Sequence, residues 1–378
     1  MLTGFESRTA FWTLMKRNPL EAGGWVLRSL RRRSRLGTTR AAQLIRYAAV
    51  KSLVLPWIYS PRLNRYPGRP PSRKVPCFLI LRYKYTRVGE KFTNSNEEHQ
   101  FSGPLRSANI AEAVEYYYDL DGSGGIFGDG NLVNLVTRVR PDIIFLSSYV
   151  PSHKDFPQLE VLKAIRAKCR IPLVTIWWDF VGSSPTVASS RLSGAVDFNI
   201  SMALPLPEQV WKDPNYLRLW TPLDFSVFHP GDGPRDIPVS FVGSTGSYRT
   251  VRRAYLDHLE EQKLPVYRTG GQQEQPVSLD QYADILRRSK ISLNFSHCGY
   301  GAHALKGRVF EVVFSGALLM ESENNETPQY LTPSVDYVVF DTKEDLADKV
   351  RYYLHHEDER QQIALNGYRK ATKEYNHE

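Results

Sequence analysis

The chain has 378 residues, of which 42% are hydrophobic and 24% charged, and this composition excludes a disordered or fibrous protein. The three cysteines, Cys77, Cys169 and Cys298, are widely spaced and form no CxxC pair. They predict neither a disulfide framework nor a cysteine zinc site, and they favour a reducing compartment. No run of about 18 apolar residues predicts a transmembrane helix, and no secretory signal is recognisable at the N-terminus, so a cytoplasmic location is expected.

The net charge of +9 is unevenly distributed. Residues 1–75 hold 16 basic and two acidic residues, a net charge of +14, whereas the remainder holds 33 basic and 38 acidic residues, a net charge of −5. The arm also carries apolar residues at helical spacing, such as Trp12, Trp25 and Leu44, around a cluster of arginines at 31–35. Residues 1–60 therefore fit either a helical arm on an anionic membrane surface or a helical extension packed on the body. No nucleic-acid-binding motif accompanies the charge, so nucleic acid is not an expected partner.

From residue 76 onward, short β-rich runs alternate with helical patterns, which predicts parallel sheets covered by helices. In the first half we expect strands at 77–83, 114–119, 142–147, 173–179 and 197–202, and helices at 131–140 and 159–168. In the second half we expect strands at 239–243, 266–269, 291–296, 317–321 and 337–341, and helices at 248–262, 279–289, 308–314, 343–355 and 357–375. A connector rich in Pro, Gly and Asp separates the halves. The predicted organisation is a basic arm and linker (1–75) and two Rossmann-like α/β domains (76–225 and 236–378) that face a cleft.

Two segments of the second half have the composition of anion-binding loops. Residues 241–249 read as a strand, a turn rich in Gly and hydroxyl groups, and a helix that opens with Arg252 and Arg253. Residues 303–311 place Lys306 and Arg308 in a glycine-bearing turn that enters a helix. Backbone amides at a helix N-terminus and cationic side chains suit a diphosphate. Taken alone, each segment also fits an ordinary turn before a helix with solvated charges.

Residues 237–375 resemble the C-terminal domain of the glycosyltransferases related to spore-maturation proteins, within the family-4-type GT-B group. The resemblance rests on the order and spacing of three blocks, at residues 239–259, 282–296 and 305–322. The first half is loosely similar at residues 140–144 and 176–179, and the arm matches nothing in the family pattern. The resemblance implies a GT-B fold in which the C-terminal domain binds a nucleoside-diphosphate sugar and the N-terminal domain binds the acceptor. It implies no metal and no cofactor beyond that co-substrate.

The resemblance also implies a set of donor-binding residues. Glu311 matches the second acid of the family's Glu–seven residues–Glu signature, which meets the ribose, whereas His303 stands where the first acid is expected. Glu326 matches an acid near the donor sugar, and it equally fits an acid at a helix N-terminus. The complete predicted set is Gly243, Ser244, Arg249, Asn294, Ser296, His303, Lys306, Arg308, Glu311 and Glu326.

The first half supplies the candidates for acid–base chemistry. Asp179 follows a strongly apolar strand and suits a general base for an inverting reaction, or else a helix N-cap. His153 is a second catalytic candidate, although retaining enzymes of this fold need no such base. Lys84, Arg87 and Gly89 follow the first strand and are candidates for the acceptor side.

The sequence therefore predicts a glycosyltransferase that moves a sugar from a nucleoside-diphosphate sugar to a glycan or lipid-linked acceptor, as a peripheral protein on the inner face of a membrane. The alternative is a non-catalytic nucleotide-sugar-binding or scaffold protein, in which His303 marks a degenerate site. An NAD-dependent enzyme is disfavoured because no GxGxxG motif follows the first strand. An EF-hand-like run at 119–126 is rejected as a calcium site because Gly130 stands where calcium needs a glutamate.

Overall fold

A computed structural model describes residues 66–88, 91–95, 97–122, 126–147, 155–178, 194–202, 215–246, 250–270, 277–299 and 302–376. Residues 1–65, and with them the predicted helical arm (1–60), lie outside these ranges. Within these ranges, no helix combines the length and apolarity needed to cross a bilayer.

The first half of the chain builds a six-stranded sheet of order β4-β1-β5-β6-β7-β8. Its strand β1 is almost completely buried and pairs in parallel with both β4 and β5, so it reads as a continuous apolar run. Two longer helices, α2 and α3, follow β4 and β5. The elements are β1 (Cys77–Arg82), β4 (Glu112–Tyr117), α2 (Ile126–Val139), β5 (Ile143–Ser147), α3 (Leu159–Cys169), β6 (Leu173–Trp177), β7 (Phe198–Ser201) and β8 (Tyr216–Arg218).

The second half builds a five-stranded parallel sheet of order β10-β9-β11-β14-β15. The chain moves outward from β9 to β10 and then continues on the other side of β9 with β11, so the strand order reverses between β9 and β11. Ligands of open α/β sheets bind beyond the carboxyl ends of the strands at such a reversal. The elements are β9 (Ile237–Val242), α4 (Thr250–Glu261), β10 (Val266–Thr269), α5 (Leu279–Arg288), β11 (Ser289–Asn294), α6 (Gly307–Phe314), β14 (Leu318–Ser322), β15 (Val338–Phe340), α7 (Lys343–His355) and α8 (Glu357–Glu374).

Helices bury apolar side chains on both faces of this second sheet. Leu256 of α4 and Val350 of α7 belong to one core cluster, and Leu286 of α5 and Phe310 of α6 belong to the other. Helix α5 begins with a capping box in which Ser278 and Gln281 satisfy each other's backbone amides. The predicted α/β fold with two sheets is confirmed.

The structure adds elements that the sequence pattern did not indicate. They are an antiparallel hairpin of β2 (Tyr85–Val88) and β3 (Lys91–Asn94), a π-helical turn (Glu98–Ser102) that leads into α1 (Gly103–Ala108), the strand β8, and a small antiparallel pair of β12 (His297–Gly299) and β13 (Ala302–His303). Helix α2 also begins at Ile126, earlier than predicted.

The chain divides into two compact units, and the division does not follow the order of the sequence. The described residues of the second unit come from 85–110, 176–185 and 199–378, and those of the first come from the remaining ranges. A segment near the start of the first predicted domain thus belongs to the same unit as the second sheet. The predicted boundaries at 225 and 236 remain a prediction.

Candidate functional site

The carboxyl edge of the second sheet brings the two predicted anion-binding loops into contact. Gly243 directly follows β9, and Arg308 lies in the first turn of α6. A Cβ atom at Gly243 would lie 2.9 Å from Nη2 of Arg308, so a glycine is needed for the guanidinium to rest against the backbone there. The Arg308 guanidinium also lies over the ring of Phe241, 5.5 Å from its centroid.

Arg308 is held by a chain of side chains that crosses the strand ends. Its Nη1 donates to Oδ1 of Asn294 at 3.1 Å, and Nδ2 of Asn294 donates to Oε2 of Glu321 at 2.6 Å. Asn294 and Glu321 are register partners on the parallel strands β11 and β14, and both are fully buried. The pairing of β11 with β14 therefore fixes these hydrogen-bonded side chains next to the point where the strand order reverses.

Glu321 is a buried acid that the sequence analysis did not single out. Burial raises the pKa of Glu321 to about 8, against the opposing effects of the Asn294 hydrogen bond and of the nearby Arg308, Arg252 and Lys306. The carboxyl group is therefore uncharged at neutral pH, and the positive charge of Arg308 is not neutralised by it.

The loop after β9 is organised by the two arginines that open α4. Nη1 of Arg252 donates to the Ser244 carbonyl at 2.8 Å, and Nη2 of Arg253 donates to the Thr245 carbonyl at 2.6 Å. Oγ of Ser244 accepts a hydrogen bond from the amide of Gly246 at 3.3 Å. Arg252, which the sequence suggested as a cationic donor for a diphosphate, is buried, and its guanidinium binds backbone carbonyl groups of the protein: that of Ser244 and, at 3.3 Å, that of Phe295.

Glu311 of α6, the predicted ribose ligand, is enclosed by two side chains. Oη of Tyr282 donates to Oε2 of Glu311 at 2.5 Å, and Nε2 of His99 lies 3.9 Å from Oε1. Burial acts to raise the pKa of Glu311, but the nearby His99 ring, the hydrogen bond from Tyr282 and the charge of Arg308 outweigh it and hold the pKa below its ordinary value. Glu311 is thus a buried carboxylate next to Arg308.

Ser296 and His303 form a hydrogen-bonded pair beyond β11. Oγ of Ser296 lies 2.8 Å from Nδ1 of His303, and the Ser296 amide donates to Oγ of Ser322 at 3.0 Å. His303 therefore lies next to the carboxyl ends of β11 and β14. The pairing fixes the imidazole through one ring nitrogen.

Glu326 lies in an ion pair. Nη2 of Arg218 contacts its carboxylate; Glu326 is buried, and the side chain of Arg218 is 10% exposed. Oδ1 of Asn324 caps the turn by accepting from the amides of Glu326 and Thr327, each at 2.8 Å. Lys306, by comparison, precedes the first residue of α6, and its carbonyl accepts from the Val309 amide at 3.0 Å.

Comparisons with known proteins agree with this geometry. Residues 241–378 match the sequence profile of the family described as glycosyl transferase-like, and this match contains both loops, Asn294 and Glu321. No curated protein matches the chain in sequence.

Solved structures match over most of the chain. Anabaena HepE, in a complex with UDP and glucose, superposes with a TM-score of 0.55 at 12% identity, covering 80% of this chain and 96% of that one. Sucrose-phosphate synthase from Thermosynechococcus elongatus superposes with a TM-score of 0.51 at 10% identity, covering 79% of this chain and 95% of that one. The fold is GT-B.

For several site residues predicted from the sequence, the structure does not test the predicted role. Arg249, Asp179, His153 and Gly89 lie outside the described residues, and Arg87 is described only as a backbone position in β2. Lys84 donates its amide to Oδ1 of Asp119 at 2.9 Å and places Nζ over the Tyr117 ring, 5.4 Å from the centroid.

The sequence analysis missed Glu321, Tyr282 and His99. Glu321 carried a usable signal, since it is a charged residue at the carboxyl end of a predicted buried strand. Tyr282 and His99 carried none, because their position next to Glu311 depends on the tertiary fold.

Proposed function

We propose that this chain is a glycosyltransferase that binds a nucleoside-diphosphate sugar beyond the carboxyl edge of the second sheet. The observation that supports this proposal most directly is the contact between Arg308 and Gly243 at the reversal of strand order, where Asn294 holds the guanidinium. Arg308 and Lys306 would bind the diphosphate together with the first amides of α6, and Glu311 would bind the ribose. The match to a glycosyl transferase-like family supports this proposal.

The chemistry of these residues suits departure of the diphosphate. Negative charge builds on the phosphate oxygens as the bond to the sugar breaks, and cations already held in place stabilise it without reorganisation. His303, fixed by Ser296, would contact the donor sugar. Asp179 remains our candidate for the base of an inverting reaction, with His153 as the second candidate.

The acceptor and the location belong to the same proposal. Lys84, Arg87 and Gly89 would face a glycan or lipid-linked acceptor, and residues 1–60 would hold the enzyme on the inner face of an anionic membrane. Their support is the charge of +14 on residues 1–75 and the apolar residues at helical spacing within it. The spore-maturation-related subgroup of the family-4-type enzymes is the relationship that we favour.

Replacing Lys306 and Arg308 together by alanine tests the donor site. Each removes a charged hydrogen-bond donor worth about 1.5–3 kcal/mol, so we expect donor affinity to fall at least about 100-fold. Calorimetric titration with UDP- and GDP-sugars measures the affinity, and release of the nucleoside diphosphate measures turnover.

Arg288→Ala is a matched control, because Arg288 directly precedes β11 at the opposite edge of the sheet and pairs with Asp236 at 2.6 Å. Unchanged affinity and turnover in the double variant would contradict the phosphate assignment. Binding by the wild-type chain without turnover of any donor, in the presence of glycan and lipid-linked acceptors, would instead favour the non-catalytic alternative.

A further inference from the structure

The carboxyl group of Glu321 determines which atom of Asn294 faces Arg308. The Asn294 amide has one donating and one accepting end, and its Nδ2 is committed to Oε2 of Glu321 at 2.6 Å. Its Oδ1 is thereby directed to Nη1 of Arg308 at 3.1 Å. A side chain at 321 without an acceptor would leave Nδ2 of Asn294 unpaired, so the amide would be held at one end only and the guanidinium would lose its fixed partner.

The charge state of Glu321 matters because three cationic side chains lie near it. Burial raises its pKa to about 8, so at neutral pH the group carries a proton. An ionised carboxylate at this place would cancel one of the positive charges that favour an anionic ligand. The titratable and polar groups facing Glu321 from the neighbouring elements are Arg308, Lys306, Arg252, Asn294, Asn324 and Tyr337.

We propose that Glu321 is a positioning residue of the donor site, which acts through Asn294 on Arg308 and, while it holds its proton, adds no second negative charge to that of Glu311. The inference deepens the proposed function and rests on it. It adds a residue from β14 to a site otherwise built from the loop after β9, the end of β11 and the start of α6.

The inference gives donor binding a specific pH dependence. At a pH at which Glu321 is ionised, a diphosphate either binds against the repulsion of the carboxylate or binds together with the uptake of a proton by Glu321. Affinity therefore falls above about pH 8, by up to about tenfold per pH unit. The diphosphate of a nucleotide sugar has no proton to lose in this range, and a decline that comes from the nucleobase or from another protein group would persist in a variant without the carboxyl group.

The experiment is calorimetric titration of the full chain with UDP-glucose and with GDP-mannose, at steps from about pH 7.5 to about pH 9, where a histidine with the ordinary pKa of about 6.5 is largely neutral. We expect the wild-type affinity to fall at the alkaline end. Glu321→Leu should bind more than tenfold more weakly throughout, because Asn294 loses its acceptor. Glu321→Gln supplies an uncharged acceptor, so it should restore binding relative to the leucine variant and show no alkaline decline.

Asp336→Asn is the matched control, because Asp336 is also a buried carboxylate of the second unit. It accepts from the Thr332 amide at 2.7 Å and pairs with Lys370 at 3.2 Å. This variant should keep the wild-type pH profile. Circular dichroism confirms that each variant is folded.

An alkaline decline in Glu321→Gln equal to that of the wild type would overturn the inference, as would a folded Glu321→Leu variant with wild-type affinity. A wild-type chain that binds neither nucleotide sugar at any pH contradicts the proposed function, and the inference with it. Wild-type binding accompanied by either of the first two results contradicts the inference alone.

Discussion

Gly243→Ala is the smallest change that tests the geometry of the donor site. The added Cβ would lie 2.9 Å from Nη2 of Arg308 and 3.1 Å from Cζ of Phe241. The contact with Nη2 is too short to persist, so the guanidinium has to move, whereas the Phe241 ring has to give by only a few tenths of an ångström. Gly243 does not have a positive φ, so alanine introduces no backbone strain of the left-handed kind.

The size of the effect follows from the contacts that change. Moving the guanidinium breaks its hydrogen bond to Asn294, and a hydrogen bond to a charged group is worth about 1.5–3 kcal/mol. We therefore expect donor affinity to fall about 10- to 100-fold. Crowding against Phe241 should lower the free energy of unfolding by about 1–3 kcal/mol, which leaves the chain folded.

Calorimetric titration with UDP-glucose measures the loss of affinity, and chemical denaturation measures the loss of stability. Gly233→Ala is the matched control, because a Cβ there meets no atom within 4 Å. In an Arg308→Ala background the guanidinium is gone, so Gly243→Ala should add little further loss. Wild-type affinity in the single variant, or full additivity of the two substitutions, would refute the reasoning.

Two other predictions concern Arg218 and the basic arm. Arg218→Ala leaves the buried carboxylate of Glu326 without its cation and should lower the free energy of unfolding by about 3–5 kcal/mol in chemical denaturation; a loss below 1 kcal/mol, about that of an exposed pair, would contradict the buried ion pair. The full chain should sediment with anionic vesicles at low salt and less at high salt, and serine at Arg31, Arg32, Arg33 and Arg35 should weaken this binding while lysine preserves it. Equal binding of the serine variant would exclude these arginines as the membrane contact.

The inner strands of the second sheet were predictable because they are buried on both faces. Such strands appear as short apolar runs between polar turns, and all five predicted strands of this half are present, with ends shifted by at most two residues. The proximity of the two loops also follows from the topology, since Gly243 directly follows β9 and Arg308 lies in the first turn of α6.

What escaped prediction depends on contacts distant in sequence. The strands β2 and β3 are four residues each and carry charged side chains such as Arg87 and Lys91, so no apolar alternation marks them. His99 stands in a polar run, and nothing in that run indicates that its ring lies near Glu311. Arg252 and Arg308 are both arginines near a helix start, and only the packing shows that Arg252 binds backbone carbonyls and Arg308 binds the Asn294 side chain.

The second unit draws residues 85–110 from far upstream of its sheet, which has a consequence for how it forms. His99 leaves the ribosome more than 200 residues before Glu311, the carboxylate that it faces. Contacts between residues so distant in sequence slow folding, because a long stretch of chain must be ordered before they are made. During synthesis, the segment around His99 therefore lacks its contact until the chain has emerged as far as Glu311.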